Sequence, residues 1–128
     1  MIIRKNIDPE IQNLTQELID NGTHFNLEYL DSIYDDDLKF IRVDKENKIE
    51  LLTKDDNMKF FKNLKDTRSV PLNTYVEYHY ADNDGASGFI ILTRRMMQLD
   101  VEQEFTFNIQ WKKKNGHWKI IRETVYIR

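Results

Sequence analysis

The stretch Phe105 to Ile127 reads FTFNIQWKKKNGHWKIIRETVYI, and its reading decides the fold. Two runs rich in β-branched and aromatic residues meet at Asn115-Gly116, a dipeptide that readily takes the positive φ angles of a two-residue turn. The stretch predicts a long β-hairpin. Alternation divides its first strand into two faces, with Phe105, Phe107, Ile109 and Trp111 on one and Glu104, Thr106, Asn108 and Gln110 on the other.

The rest of the chain must supply something for that hairpin to pack on. At 128 residues, with 40% hydrophobic and 32% charged residues and only 4 Gly and 2 Pro, the composition is that of one globular domain with its own core. The net charge of −3 comes from interspersed signs, without the basic stripe that a nucleic-acid partner demands. There are no cysteines, so disulfides, thiolate metal sites and thiol nucleophiles are excluded. The opening MIIRKNIDPE lacks the apolar core of a signal peptide, and no run approaches a membrane span, so a soluble cytoplasmic protein is expected.

Working outward, Asp8-Pro9 is a helix start, with Asp as N-cap and Pro in the first turn. Ile11, Leu14 and Leu18 then recur at helical spacing up to the stop at Asn21-Gly22, leaving residues 1–7 as a tail. Asn26 caps a second, shorter helix in which Leu27, Leu30, Ile33 and Tyr34 share a face. The acids Asp35, Asp36 and Asp37 read as a solvated turn, since consecutive side chains diverge and no calcium-loop spacing follows. Leu38 to Val43 and Ile49 to Leu52 form two strands about a polar turn, and Thr53 caps a third helix with Met58, Phe61 and Leu64 in one stripe. After Ser69-Val70-Pro71 come four strands with turns at Asp82 to Gly85, near Gln98 to Glu102, and at Asn115-Gly116. The expected class is therefore α+β, with three helices in the N-terminal half packed on a curved, mainly antiparallel sheet of about six strands.

That order of elements, together with WKKKNGHWKI at 111–120, resembles the nuclear transport factor two-like superfamily, also called the SnoaL-like or cystatin-like α+β cone. The resemblance covers Asp8 to the end and implies a single domain over 1–128. It implies a bent sheet wrapped round helices to leave a central cavity, and, as in many members, a homodimer through the sheet's outer face. The superfamily spans isomerases, dehydratases, polyketide cyclases and transport factors, so the fold alone assigns no activity.

Counting back from Gly116 as in the ketosteroid isomerases places Asn108 and Gln110 in the cavity. The aromatic face, Phe105, Phe107, Ile109 and Trp111, then becomes the outer, dimerising surface; the opposite assignment makes it core. The first is the expectation carried forward. In the same register Glu123 looks inward beside Asn108, where desolvation would raise its pKa into the range of an acid or base.

Matching IYDDDLKFIRV at 33–43 to the isomerases' helix-to-strand segment puts Arg42 in place of their general-base aspartate, and a guanidinium cannot accept a proton. Thr15 falls near the place of their oxyanion tyrosine, and Asn108 replaces their protonated aspartate. Isomerisation of the steroid type is therefore not expected. What remains is a ligand-binding set, Arg42, Asn108, Gln110 and Glu123, in which Arg42 favours an anionic small organic molecule. An acid/base enzyme of the isomerase, dehydratase or cyclase kind, using Glu123 with His79, is the alternative, and a protein-interaction module is the third reading. No histidine pair has ligand spacing, so neither a metal nor a cofactor is expected.

Overall fold

A computed structural model of the chain describes residues 6–67, 75–98 and 101–128. Three helices, α1 (Pro9–Thr23), α2 (Leu27–Ile33) and α3 (Lys54–Thr67), pack on one side of a six-stranded sheet. The strands are β1 (Tyr34–Val43), β2 (Ile49–Leu52), β3 (Val76–Asn83), β4 (Ser87–Gln98), β5 (Val101–Lys114) and β6 (His117–Ile127). Their spatial order is β2-β1-β6-β5-β4-β3, antiparallel except for the parallel pairing of β1 with β6. The α+β class, the helix count and the sheet expected from the sequence are those observed.

Local signals explain the elements. Asp8 caps α1 by accepting from the Ile11 amide at 2.9 Å, with Pro9 following at the first position. Asn26 likewise accepts from Tyr29. At the head of α3, the Thr53 hydroxyl accepts from the Asp56 amide at 3.2 Å while the Asp56 carboxylate accepts from the Thr53 amide at 2.9 Å, a reciprocal cap. Asn115 (φ 52°) and Gly116 (φ 79°) both occupy the left-handed region that a tight hairpin needs, and Lys114 pairs with His117 across them.

Two boundaries differ from the sequence reading. Asp35, Asp36 and Asp37 lie inside β1, at an irregularity between Tyr34 and Lys39, and not in a turn before it. There Asp35 pairs with Lys114 at 2.8 Å and Asp36 with Lys54 at 3.2 Å, so the strand tolerates its acids by exporting them to cations. The supposed tail also has structure near its end, where Ile7 bridges to Ala81 on the edge strand β3. Ser69-Val70-Pro71 and part of the turn near Gln98 to Glu102 lie outside the described residues.

The core lies between the helices and the concave side of the sheet. Ile11, Leu18 and Ile19 of α1 and Leu30 of α2 meet Ala81, Ile90, Leu92, Ile109, Trp111 and Ile120. At Gly88, α1 lies tight against the sheet. A Cβ there would lie 2.8 Å from Ile11 Cγ1, closer still to Ile11 Cδ1, and 3.1 Å from the Asp82 carbonyl oxygen. Gly88→Ala is therefore expected to destabilise the fold by about 2 kcal/mol through overpacking. In equilibrium denaturation, part of that loss should return in the double variant Gly88→Ala, Ile11→Val; independent, additive losses would mean that the helix does not press there.

Candidate functional site

The sheet's side-chain phase sorts the candidate residues. Phe105, Ile109 and Trp111 are 4%, 3% and 0% exposed, and their face meets the helices. The expectation that Phe105, Phe107, Ile109 and Trp111 form an outer dimerising surface is thus overturned: this face is core, because the apolar stripes of α1 and α2 have no other apolar layer to cover them. By alternation Asn108 and Gln110 point to the convex side, where Asn108 stands between Ile91 and Thr124 and Gln110 between Phe89 and Arg122. They line no concave cavity.

Glu123 nevertheless faces inward, as expected, and the reason is a bulge. Gln110 pairs with Arg122 but Trp111 pairs with Ile120, so Ile121 is one residue extra in β6. The insertion moves the partner of Asn108 from Glu123 to Thr124 and sets Glu123 opposite Ile109. On its other side Glu123 neighbours Phe40 of β1. Arg42 shares that concave face, opposite Val125 of β6 and Glu50 of β2. The predicted set of four is therefore split, with Arg42 and Glu123 on one side of the sheet and Asn108 and Gln110 on the other.

Glu123 is 5% exposed, and its Oε1 has no hydrogen-bond partner. Burial pushes its carboxyl up to about 7, against a smaller downward pull from Arg94. Arg94, in phase with Leu92 and opposite Phe105, is the cation that Glu123 feels; Arg42 is not. Arg94 in turn has its guanidinium pKa lowered by burial, with Tyr78, Glu123 and Asp20 acting in the opposite sense. Tyr34, almost fully buried, has its hydroxyl pushed well above the ordinary value by burial first, then by Glu123 and Tyr29. Sequence reasoning missed Tyr34 because it continues the apolar face of α2. Arg94 was legible only as one of two neighbouring arginines that must point opposite ways.

His79 lies on the convex side, its Nε2 2.7 Å from Thr93 Oγ1 and its Nδ1 4.0 Å from Glu77. The sheet separates it from Glu123, so the proposed Glu123–His79 acid/base pair does not assemble. Thr15, at the place of the isomerases' tyrosine, donates to the Ile11 carbonyl of its own helix at 2.8 Å. Two surface clefts lie elsewhere. One runs between α2, β1 and the start of α3, past Asp31, Asp36, Lys54 and Met58, and the other lies beside Lys45, Tyr126 and Arg128. Among the described residues, no group of three His, Asp or Glu side chains could hold a metal. No described helix is long and apolar enough to cross a membrane.

No protein-family model matches the chain, and no curated protein matches it significantly. Solved structures do. An NTF2-like protein from Cytophaga hutchinsonii superposes with a TM-score of 0.72 at 18% identity, over 95% of this chain and 100% of that one. An NTF2-like protein of unknown function from Silicibacter pomeroyi gives 0.71 at 13% identity, over 92% of both chains. One from Rhodospirillum rubrum, of unknown function in nutrient uptake, gives 0.68 at 16% identity, over 92% of this chain and 98% of that one. Likeness at these identities is likeness of fold.

Proposed function

Because the chain has the NTF2-like fold, we propose that it is a small-molecule-binding domain whose ligand lies on the concave face against Glu123. The observation that carries this reading is the carboxylate oxygen buried without a partner. Native interiors pair their polar atoms, and a buried acid left unpaired costs free energy that selection for stability alone would remove. Half-buried Phe107 and Phe40 and buried Val125 and Ile109 give Glu123 apolar surroundings of the kind that line ligand sites. Among the described residues the other carboxylate in that phase, Glu50, is exposed on β2 beyond Arg42, so binding without turnover is the reading.

The test uses indole, a planar apolar probe, titrated into the methyl-labelled full chain. Shifts should concentrate on Ile109 and Val125 and spare Ile41 and Ile91 of the convex face. Shifts confined to the convex face, or none at all, would remove the concave site.

We further propose a homodimer through the convex face, the reverse of the face expected from sequence. One row crosses all six strands as Tyr80, Ile91, Asn108, Thr124, Ile41 and Leu51, and carries no charge. The next contains Thr93, Thr106, Tyr126, Val43 and Ile49, with Glu77 as its one charge at the β3 edge. Ile49 and Leu51 are 66% and 73% exposed, an apolar margin that a second copy would cover. In the row on the other side of the uncharged one, Asp82 stands at the β3 edge and Arg122 and Lys39 towards β1. A two-fold axis parallel to the strands sets acid over base. Ile91→Lys, in the uncharged row one strand in from the β3 edge, should convert a sedimenting dimer into a folded monomer. A parent protein that is already monomeric at micromolar concentration would refute the dimer.

A further inference from the structure

We infer that the molecule held on the concave face is a short amino or hydroxy carboxylic acid with an apolar body, its donor end on Glu123 and its carboxylate on Arg42. This rests on the small-molecule reading above and narrows it to a chemical class. Phe40 neighbours Glu123 and Arg42 neighbours Val125 in the parallel pairing of β1 with β6. The two charged residues therefore occupy opposite corners of a four-residue patch whose other corners are Phe40 and Val125. Their Cα atoms are about 8 Å apart, one strand spacing across and two residues along.

Among the described residues neither group is held in a hydrogen bond or an ion pair, although Arg94 acts on Glu123 from a distance. Glu123 Oε1 has no partner, and Arg42 is in none of the six ion pairs formed among the described residues. Glu50 is opposite Arg42 across β1 and β2 but is exposed and not paired with it. Two unlike charges on one face that do not reach each other are joined by a ligand carrying the complement of both. An ammonium or hydroxyl donates to the carboxylate, and a carboxylate accepts from the guanidinium through paired N–H donors. The apolar corners require hydrocarbon between the two ends. A simple anion would leave Glu123 unmatched, and a simple amine would leave Arg42 so.

The probe is 4-(aminomethyl)benzoate, compared with benzylamine and benzoate, which each carry one of its ends. Binding to the full chain is measured by calorimetry at pH 8. The two-ended probe should bind at least tenfold more tightly than either control. Glu123→Gln should reduce it to the level of benzoate, and Arg42→Met to the level of benzylamine, with the circular dichroism of both variants unchanged. A two-ended probe no tighter than its halves overturns the inference, as does an advantage that survives both substitutions. The parent comparison needs no variant, so a misfolded variant cannot obscure the result. Failure here with indole still shifting Ile109 and Val125 would discard the ligand class alone, whereas silence from every probe would discard the concave site with it.

Discussion

Trp111→Ala is expected to cost the fold about 4 kcal/mol, since Trp111 is wholly buried on the helix-facing side of β5. For a domain of this size that is a fall in melting temperature of roughly 15 °C. The result decides between the two faces of the hairpin. Were the row Phe105, Phe107, Ile109 and Trp111 an intersubunit surface, the loss would appear as dissociation and would shrink as protein concentration rises. Denaturation of the variant at two concentrations separates the cases, because truncating a core residue costs the same at both. A variant as stable as the parent but monomeric would return the aromatic row to the outside.

Glu123→Leu should do the opposite and stabilise the domain, by about 2 kcal/mol above pH 8. The gain must depend on pH in a definite direction. Glu123 titrates near 7 in the folded chain and near 4.5 when unfolded. Between those values the folded state holds the extra proton, so the parent loses stability as pH rises through the window and stays at the lower level beyond it. The full difference amounts to about 3 kcal/mol, and it is absent below pH 4, where both states are protonated. Arg94 opposes the shift, and the neighbouring Tyr34 stays protonated across this range. Comparing parent and variant at pH 4 and pH 8 cancels the other carboxylates. A leucine variant less stable than the parent at pH 8 would mean that the carboxylate is structural, and the case for a ligand would go with it.

Most of the architecture was legible because its signals are local. Asp8-Pro9, Asn26, Thr53 and Asn115-Gly116 each fix an element's end within a few residues, and the observed elements begin and turn where those residues stand. The faces were not legible, because phase is carried by register and one inserted residue changes it. Pairing counted outward from the turn joins Asn108 to Glu123, which holds only if β6 is regular. Ile121 breaks that count, so Glu123 points inward without bringing Asn108 along. A sign of it was in the sequence: Ile120 and Ile121 are adjacent aliphatics, which a regular strand would send to opposite faces. The choice of outer face erred for a second reason. It followed the position of an acid in the isomerases, against the simpler demand that Ile11, Leu18 and Leu30 be covered by something apolar.

The extra residue in β6 has a consequence for kinship. Whether an acid sits inside this strand is set by a single unit of chain length upstream of it, independently of which amino acid occupies position 123. A relative with one residue fewer at this point would turn the equivalent glutamate to the exterior while keeping every letter after it. Homologues of this chain are therefore to be matched at β6 by strand partner, with the residue opposite Ile109 as the reference, because counting from the hairpin would equate side chains on opposite sides of the sheet.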